Sequence, residues 1–206
     1  MKKLIRILIL SFLVILKISI AKAEDVIPIY SSDPKLFVQE LVNDSIEKLS
    51  DVNLNEEQKK AFVKKVALEN VDISALGLYA LGELRKTTEA IYIDKYQVAF
   101  KEYFLKTLIN RLSNYSSNKF EITSAEKKSP KYTIVKSRML PNENKPEIKI
   151  DWRIFTKNPD KPLIRDLIVE GLSLARAQKE EFASILNSNN NDINILILKL
   201  EEFLNN

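Results

Sequence analysis

In 206 residues the chain carries 32 Lys and Arg, 28 Asp and Glu, and neither cysteine nor histidine. The missing cysteines exclude a disulfide framework, a thiolate metal site and a lipoprotein anchor; the missing histidines remove the commonest general base, the commonest metal ligand and every histidine-dependent nucleophilic triad. No catalytic residue, metal or cofactor is therefore expected, and three glycines in the whole chain favour regular elements over loop-rich architecture.

At the start of the chain Lys2, Lys3 and Arg6 precede an apolar run from Ile7 to Leu16, broken only by Ser11. That run ends at Lys17 and is too short to span a bilayer core, which takes about 20 apolar residues. Ala21-Lys22-Ala23 places small residues where a leader peptidase reads them. Residues 1–23 are thus expected to be a cleavable signal peptide, with residues 24–206 forming one exported domain starting at Glu24. Five of the 32 basic residues and none of the acidic ones lie in that leader, which leaves 27 against 28 and a formal charge of −1. A near-neutral mature chain excludes nucleic acid as a partner, since phosphate binding needs clustered Lys and Arg.

After a short tether, Asp33-Pro34 pairs a capping residue with a proline suited to the first helical position. Leu36, Phe37, Val38, Leu41, Val42, Ile46 and Leu49 then recur at helical spacing to about residue 50. Asn55 and Gln58 form a capping-box pattern before Phe62, Val63, Val66 and Ala67, predicting a second helix to Asn70. Asp72 or Ser74 starts a third, and its Ala75–Gly82 stretch is apolar on all sides, which places it inside the domain or beside a cavity. From Asp94 to Asn114, Tyr96, Phe100, Tyr103, Phe104, Leu108 and Leu112 give the longest helical signal.

The period then changes to alternation at Phe120–Ile122, Tyr132–Ile134 and Ile148–Ile154, and a fourth strand is predicted from Leu163 to Glu170. Turn signals at Ser129-Pro130, Pro141 to Pro146 and Asn158-Pro159-Asp160 make these an antiparallel meander. Two helices, Ser173 to Leu186 and Asp192 to Leu204, close the chain around an asparagine-rich turn. Helices, then sheet, then helices is an α+β order, with helices packed on a curved four-stranded antiparallel sheet. Periodicity alone leaves open whether the space between these layers is filled or hollow.

Several segments together resemble the MlaC, or toluene-tolerance, family of periplasmic phospholipid-binding transport proteins. They are Val71-Asp72, Ala80-Leu81-Gly82 with Arg85, Phe100 and Phe104, Tyr115, and Ile148 to Ile154. The most specific is Asp166 to Leu174 with Phe182 and Ile185-Leu186, which is similar to the family's D-V-x-V-E-G-V-S-L element and following helix; Asp192 and Leu200 fit its end. Pro162 stands where the family usually has an aromatic, and Ala177-Gln178-Lys179 replaces its common Asn-Tyr-Arg. The resemblance implies a curved four-stranded sheet flanked by helices, with an apolar pocket between the layers for a diacyl phospholipid. It also implies a monomeric periplasmic carrier, working between an inner-membrane ABC transporter complex and an outer-membrane lipoprotein complex of the Mla type.

Candidate pocket residues are Leu76, Tyr79, Phe100, Phe104, Leu108, Ile150, Trp152, Ile168 and Leu172, although stripes at these spacings also make ordinary cores. Asp151, Asp166 and Glu170 offer carboxylates for acid and base work, but Asp166 and Glu170 are expected instead to bind loop or helix-terminus amides, with Gly171 supplying a bend and Arg85 a salt bridge to one of them. A hydrolase and a periplasmic chaperone or adaptor for apolar segments are the competing functions.

Overall fold

The structure, a computed structural model, describes residues 28–112, 119–141 and 146–205. The expected leader, Tyr115 and the interior of the Pro141 to Pro146 connection lie outside the described residues. Helix α1 spans Pro34–Ser50, and the Asp33 carboxylate accepts from the amides of Lys35 and Leu36 at 3.0 and 2.9 Å. In α2, Glu56–Asn70, Asn55 and Gln58 exchange both bonds of the capping box at 2.9 Å. Helix α3, Ile73–Ala80, is capped by Asp72 and followed by a 3₁₀ turn over Gly82–Lys86. Helix α4, Ala90–Leu112, begins before the expected Asp94. The Glu89 carbonyl accepts from the amides of Tyr92 and Ile93 at 3.0 and 3.2 Å, and both side chains pack on the helical core, which extends the helix backwards.

The sheet is an open antiparallel meander in the order β1 to β5: Phe120–Ser129, Tyr132–Met139, Ile148–Phe155, Leu163–Val169 and Leu172–Ser173. It has five strands rather than four. Glu170 and Gly171, with φ of 48° and 83°, are both left-handed and make a two-residue hairpin that sets Val169 opposite Leu172. Two residues are too few to show alternation, so β5 leaves no sequence signal. Strand β1 runs on past Ile122 because it is an edge strand whose later residues, from Thr123 to Lys128, are all exposed, so neither face needs apolar side chains. Register shifts in β1 and in β4 mark bulges, which bend strands. Helices α5, Leu174–Asn187, and α6, Ile193–Asn205, complete the chain.

Two apolar cores form, and they do not merge. One lies between α1 and the sheet, where Phe37, Val38, Leu41 and Val42 pack with Val135, Trp152, Ile154 and Ile164. The other joins α3, α4, α5 and α6 around Tyr96, Phe100, Leu105, Phe182 and Leu196. Helix α4 packs chiefly on α6, α3 and α2. Its crossing with α3 is close because Gly77 has no side chain: a Cβ there would stand 2.7 Å from Gln97 Oε1 and 2.8 Å from Phe100 Cδ1. The Tyr96 hydroxyl donates to the Gly77 carbonyl at 2.9 Å in the same contact, and burial pushes its pKa up. Overpacking of this kind typically costs about 1–3 kcal/mol. Gly77→Ala should therefore lower the stability measured by urea unfolding by that amount; an unchanged midpoint would contradict the tight crossing.

Candidate functional site

Three consecutive residues of β4 hold the two layers together. The Ile164 carbonyl accepts from the Asp72 amide at 3.0 Å, beside a parallel backbone bridge between Ile164 and Val71. Arg165, at the bulge, donates from Nε and Nη2 to Asp72 Oδ2 at 2.8 and 2.6 Å and from Nη1 to the Tyr132 hydroxyl at 2.8 Å. Its guanidinium also lies 3.4 Å from the Phe155 ring centroid, a stacking that suits its planar cation. Burial opposes the Arg165 charge, but the hydrogen bonds to Tyr132 and Asp72 outweigh it and raise its pKa. Asp72 in turn caps α3, its Oδ1 accepting from the Ala75 amide at 3.1 Å.

Asp166, buried, accepts from the Ser173 hydroxyl at 2.7 Å and the Ala175 amide at 3.0 Å, with Arg153 Nη1 3.6 Å away. Ser173 Oγ accepts from the Arg176 amide at 3.0 Å and so caps α5. Both helices that open the helical layer therefore start from β4. A carboxylate at each N-terminus also meets the positive end of the helix dipole.

Several apolar residues at the borders of the two cores are only half-buried. Leu76, Phe104 and Leu108 edge the helical core, while Phe62, Ile122, Ile150 and Leu167 edge the sheet core; Val71 touches both. Of the residues expected from sequence, Leu76, Phe104, Leu108 and Ile150 thus lie on these edges. Phe100 is deeper, 3% exposed and ringed by Tyr96, Tyr103, Phe104 and Phe182. Trp152 lies in the sheet core, edge-on to Phe120, with its Nε1–H donating to Ser137 Oγ at 2.8 Å. Val135 and Leu167 are its cross-strand neighbours.

The remaining three stand elsewhere. Ile168 pairs with Asp151 on the opposite face of the sheet from Trp152, because β4 alternates. There it lines a cleft of about 360 Å³ with Lys136, Arg138, Glu147, Lys149 and Glu170. Acyl chains suit this cleft poorly, since they would strip water from its charges. Tyr79 is 40% exposed beneath the Lys179 ammonium, and Leu172 is 58% exposed on β5. Arg85 forms no salt bridge with Asp166 or Glu170; it donates to the Gly82 carbonyl of its own turn. Glu170 sits beyond the end of β4 and accepts from the Lys149 amide.

Residues 39–202 match the family described as MlaC protein. The chain belongs to the MlaC family. A phospholipid-binding protein from Ralstonia solanacearum, solved in complex with a phospholipid, shares the fold of this MlaC chain with a TM-score of 0.66 at 20% identity, over 81% of this chain and 94% of that one. No curated protein is similar enough to match. In this MlaC chain Arg165 and Tyr132 belong to the β4 anchor, which sequence reasoning missed, and Phe62 and Leu167 are further half-buried residues at the border of the sheet core. Arg165 is hidden because a bulge, invisible in alternation, aims it at Asp72; the signal available was a lone arginine inside an apolar strand beside Asp166.

Asp166→Ala would leave the Ala175 amide unpaired and Ser173 without its acceptor, and an unmet buried hydrogen-bonding group costs about 1–3 kcal/mol. Urea unfolding of Asp166→Ala is expected to show a loss of that size, with faster amide exchange in the first turn of α5. Unchanged exchange there would contradict the anchoring of α5 to β4.

Proposed function

We propose that the mature chain is a phospholipid carrier of the periplasm, exported by residues 1–23, released before Glu24 and working as a monomer. It takes one diacyl lipid between the inner-membrane ABC transporter complex and the outer-membrane lipoprotein complex of a Mla-type system, with the acyl chains in the seam between the two apolar layers. The observation that carries this proposal is membership of the MlaC family over residues 39–202. Supporting it are the phospholipid held by the Ralstonia solanacearum protein of the same fold and the half-buried apolar residues at the borders of the two cores. Among the described residues no helix is long and apolar enough to cross a membrane.

The physics of the task matches the residues. Each exposed methylene costs about 0.8 kcal/mol, so two long acyl chains cannot cross water uncovered, and shielding them needs surface rather than chemistry. A hydrolase would need an available acid and base, whereas both oxygens of Asp166 are already engaged and the Glu170 carboxylate is held by the Lys149 amide.

Native mass spectrometry of the exported protein should find about one diacyl phospholipid per chain. Replacing a seam residue by a larger one, Leu76→Trp or Leu108→Trp, should displace the lipid and leave thermal unfolding nearly unchanged, since a ligand-filled space absorbs volume that a packed core cannot. A packed core would instead lose about 1–3 kcal/mol. Lipid-free unmodified protein that retains unfolded chains would replace the carrier by a chaperone.

A further inference from the structure

The 3₁₀ turn after α3 and the second turn of α5 bring positive charge together at one corner of the helical layer. Lys86 Nζ bonds Glu83 Oε2 at 2.5 Å, three residues back in the same turn. That bond and the Lys86 charge hold the Glu83 carboxyl below its usual pKa, and the charges of Arg85 and Lys179 lower it further. Three cations therefore face one carboxylate, which leaves two positive charges in excess. Lys179 comes from α5, its Cε 3.4 Å from where a Cβ on Gly82 would stand. Its ammonium lies 5.4 Å from the centroid of the exposed Tyr79 ring. Arg85 donates from Nη1 to the Gly82 carbonyl, a neutral acceptor, so the bond orients the guanidinium without cancelling its charge. On α5 the exposed Leu174 and Arg176 lie within two turns of Lys179.

A wholly charged partner would use these cations and leave Tyr79 and Leu174 in water. The interface of a bilayer uses both, since its phosphates take Lys and Arg while the layer beneath them takes amphipathic rings and apolar side chains. Anionic phospholipid is also complementary in sign to the excess charge. Beyond residue 23 the chain holds 27 basic and 28 acidic residues, so it has no general attraction to such a surface and binding rests on the local cluster. We infer that this corner, made by Tyr79, Arg85, Lys86, Leu174, Arg176 and Lys179, is a docking surface for a bilayer of anionic phospholipid. Docking of this kind is independent of where the acyl chains are held, and it adds a place at which a lipid carrier meets a membrane.

The exported protein is sedimented with vesicles of phosphatidylcholine alone and with vesicles of equal parts phosphatidylcholine and phosphatidylglycerol. It should bind the anionic vesicles and not the neutral ones, and binding should fall as salt is raised. Each Lys or Arg near such a surface strengthens binding about fivefold, so Lys86→Gln and Lys179→Gln should each weaken it by about that factor and the double variant by about 25-fold. Tyr79→Ser should weaken binding without changing its salt dependence. Lys136→Gln removes a positive charge from the cleft on the outer face of the sheet instead, and should leave vesicle binding unchanged. Co-purified phospholipid should stay at the unmodified level in Lys86→Gln and Lys179→Gln, so loss of docking and loss of the carrier role are read separately. No loss in the double variant, or an equal loss in Lys136→Gln, would overturn the docking surface. Retention on immobilised polyglutamate without binding to anionic vesicles would replace the bilayer by an acidic protein and overturn it as well.

Discussion

Everything in this fold hangs from the Ile164–Asp166 segment of β4. Two helices with separate apolar faces must be brought to one strand, and each arrives by its N-terminus: α3 through Asp72 on Ile164 and Arg165, and α5 through Ser173 and Ala175 on Asp166. A helix N-terminus presents unpaired amides that need acceptors wherever the end is buried. Here Asp72 and Asp166 supply them and at the same time bind the strand. One set of polar bonds thus satisfies the helix ends and fixes the distance between layers.

That economy explains why the domain can keep two cores. In an ordinary small domain the apolar faces of helices and sheet would collapse into a single interior. Here α4 is turned toward α6, α3 and α2, and α1 covers the sheet at β1 and β2. Helix α2 bridges the halves, giving Val66 to the sheet core and Ala67 to the helical one. The residues left at the borders of the two cores are apolar and half-buried. For a protein that must cover hydrocarbon in water, roughly 12 kcal/mol is at stake for a chain of about 15 methylenes. This exceeds what any single polar contact to a head group contributes, about 1.5–3 kcal/mol for a bond to a charged group.

Much of this was legible in the sequence, and the exceptions share a cause. The capping box at Asn55 and Gln58, the proline after Asp33 and the Asp72 cap are local signals, and local hydrogen bonds answered them. Alternation located β2, β3 and β4, because their faces differ in burial. Where burial does not alternate, the signal fails: the exposed length of β1 and the two residues of β5 left none. The site was harder still. Of the residues expected from apolar faces, Leu76, Phe104, Leu108 and Ile150 lie half-buried at the core borders, whereas Ile168 is on the sheet face opposite Trp152 and Tyr79 and Leu172 are exposed. Tertiary contacts, not composition, turned Arg165 toward Asp72.

Acyl chains between the two layers are the central claim, and Trp152, the one tryptophan of the chain, reports on it directly. It lies in the sheet core among apolar neighbours, buried yet beside the half-buried Ile150 and Leu167, on the side where the acyl chains are proposed to lie. Phospholipid brominated along its acyl chains, loaded into delipidated protein, quenches indole fluorescence only at near contact. Strong quenching that depends on the position of the bromine along the chain is the expected result. Retention of the brominated lipid with Trp152 fluorescence unchanged at every position would put the chains outside the seam and contradict the account.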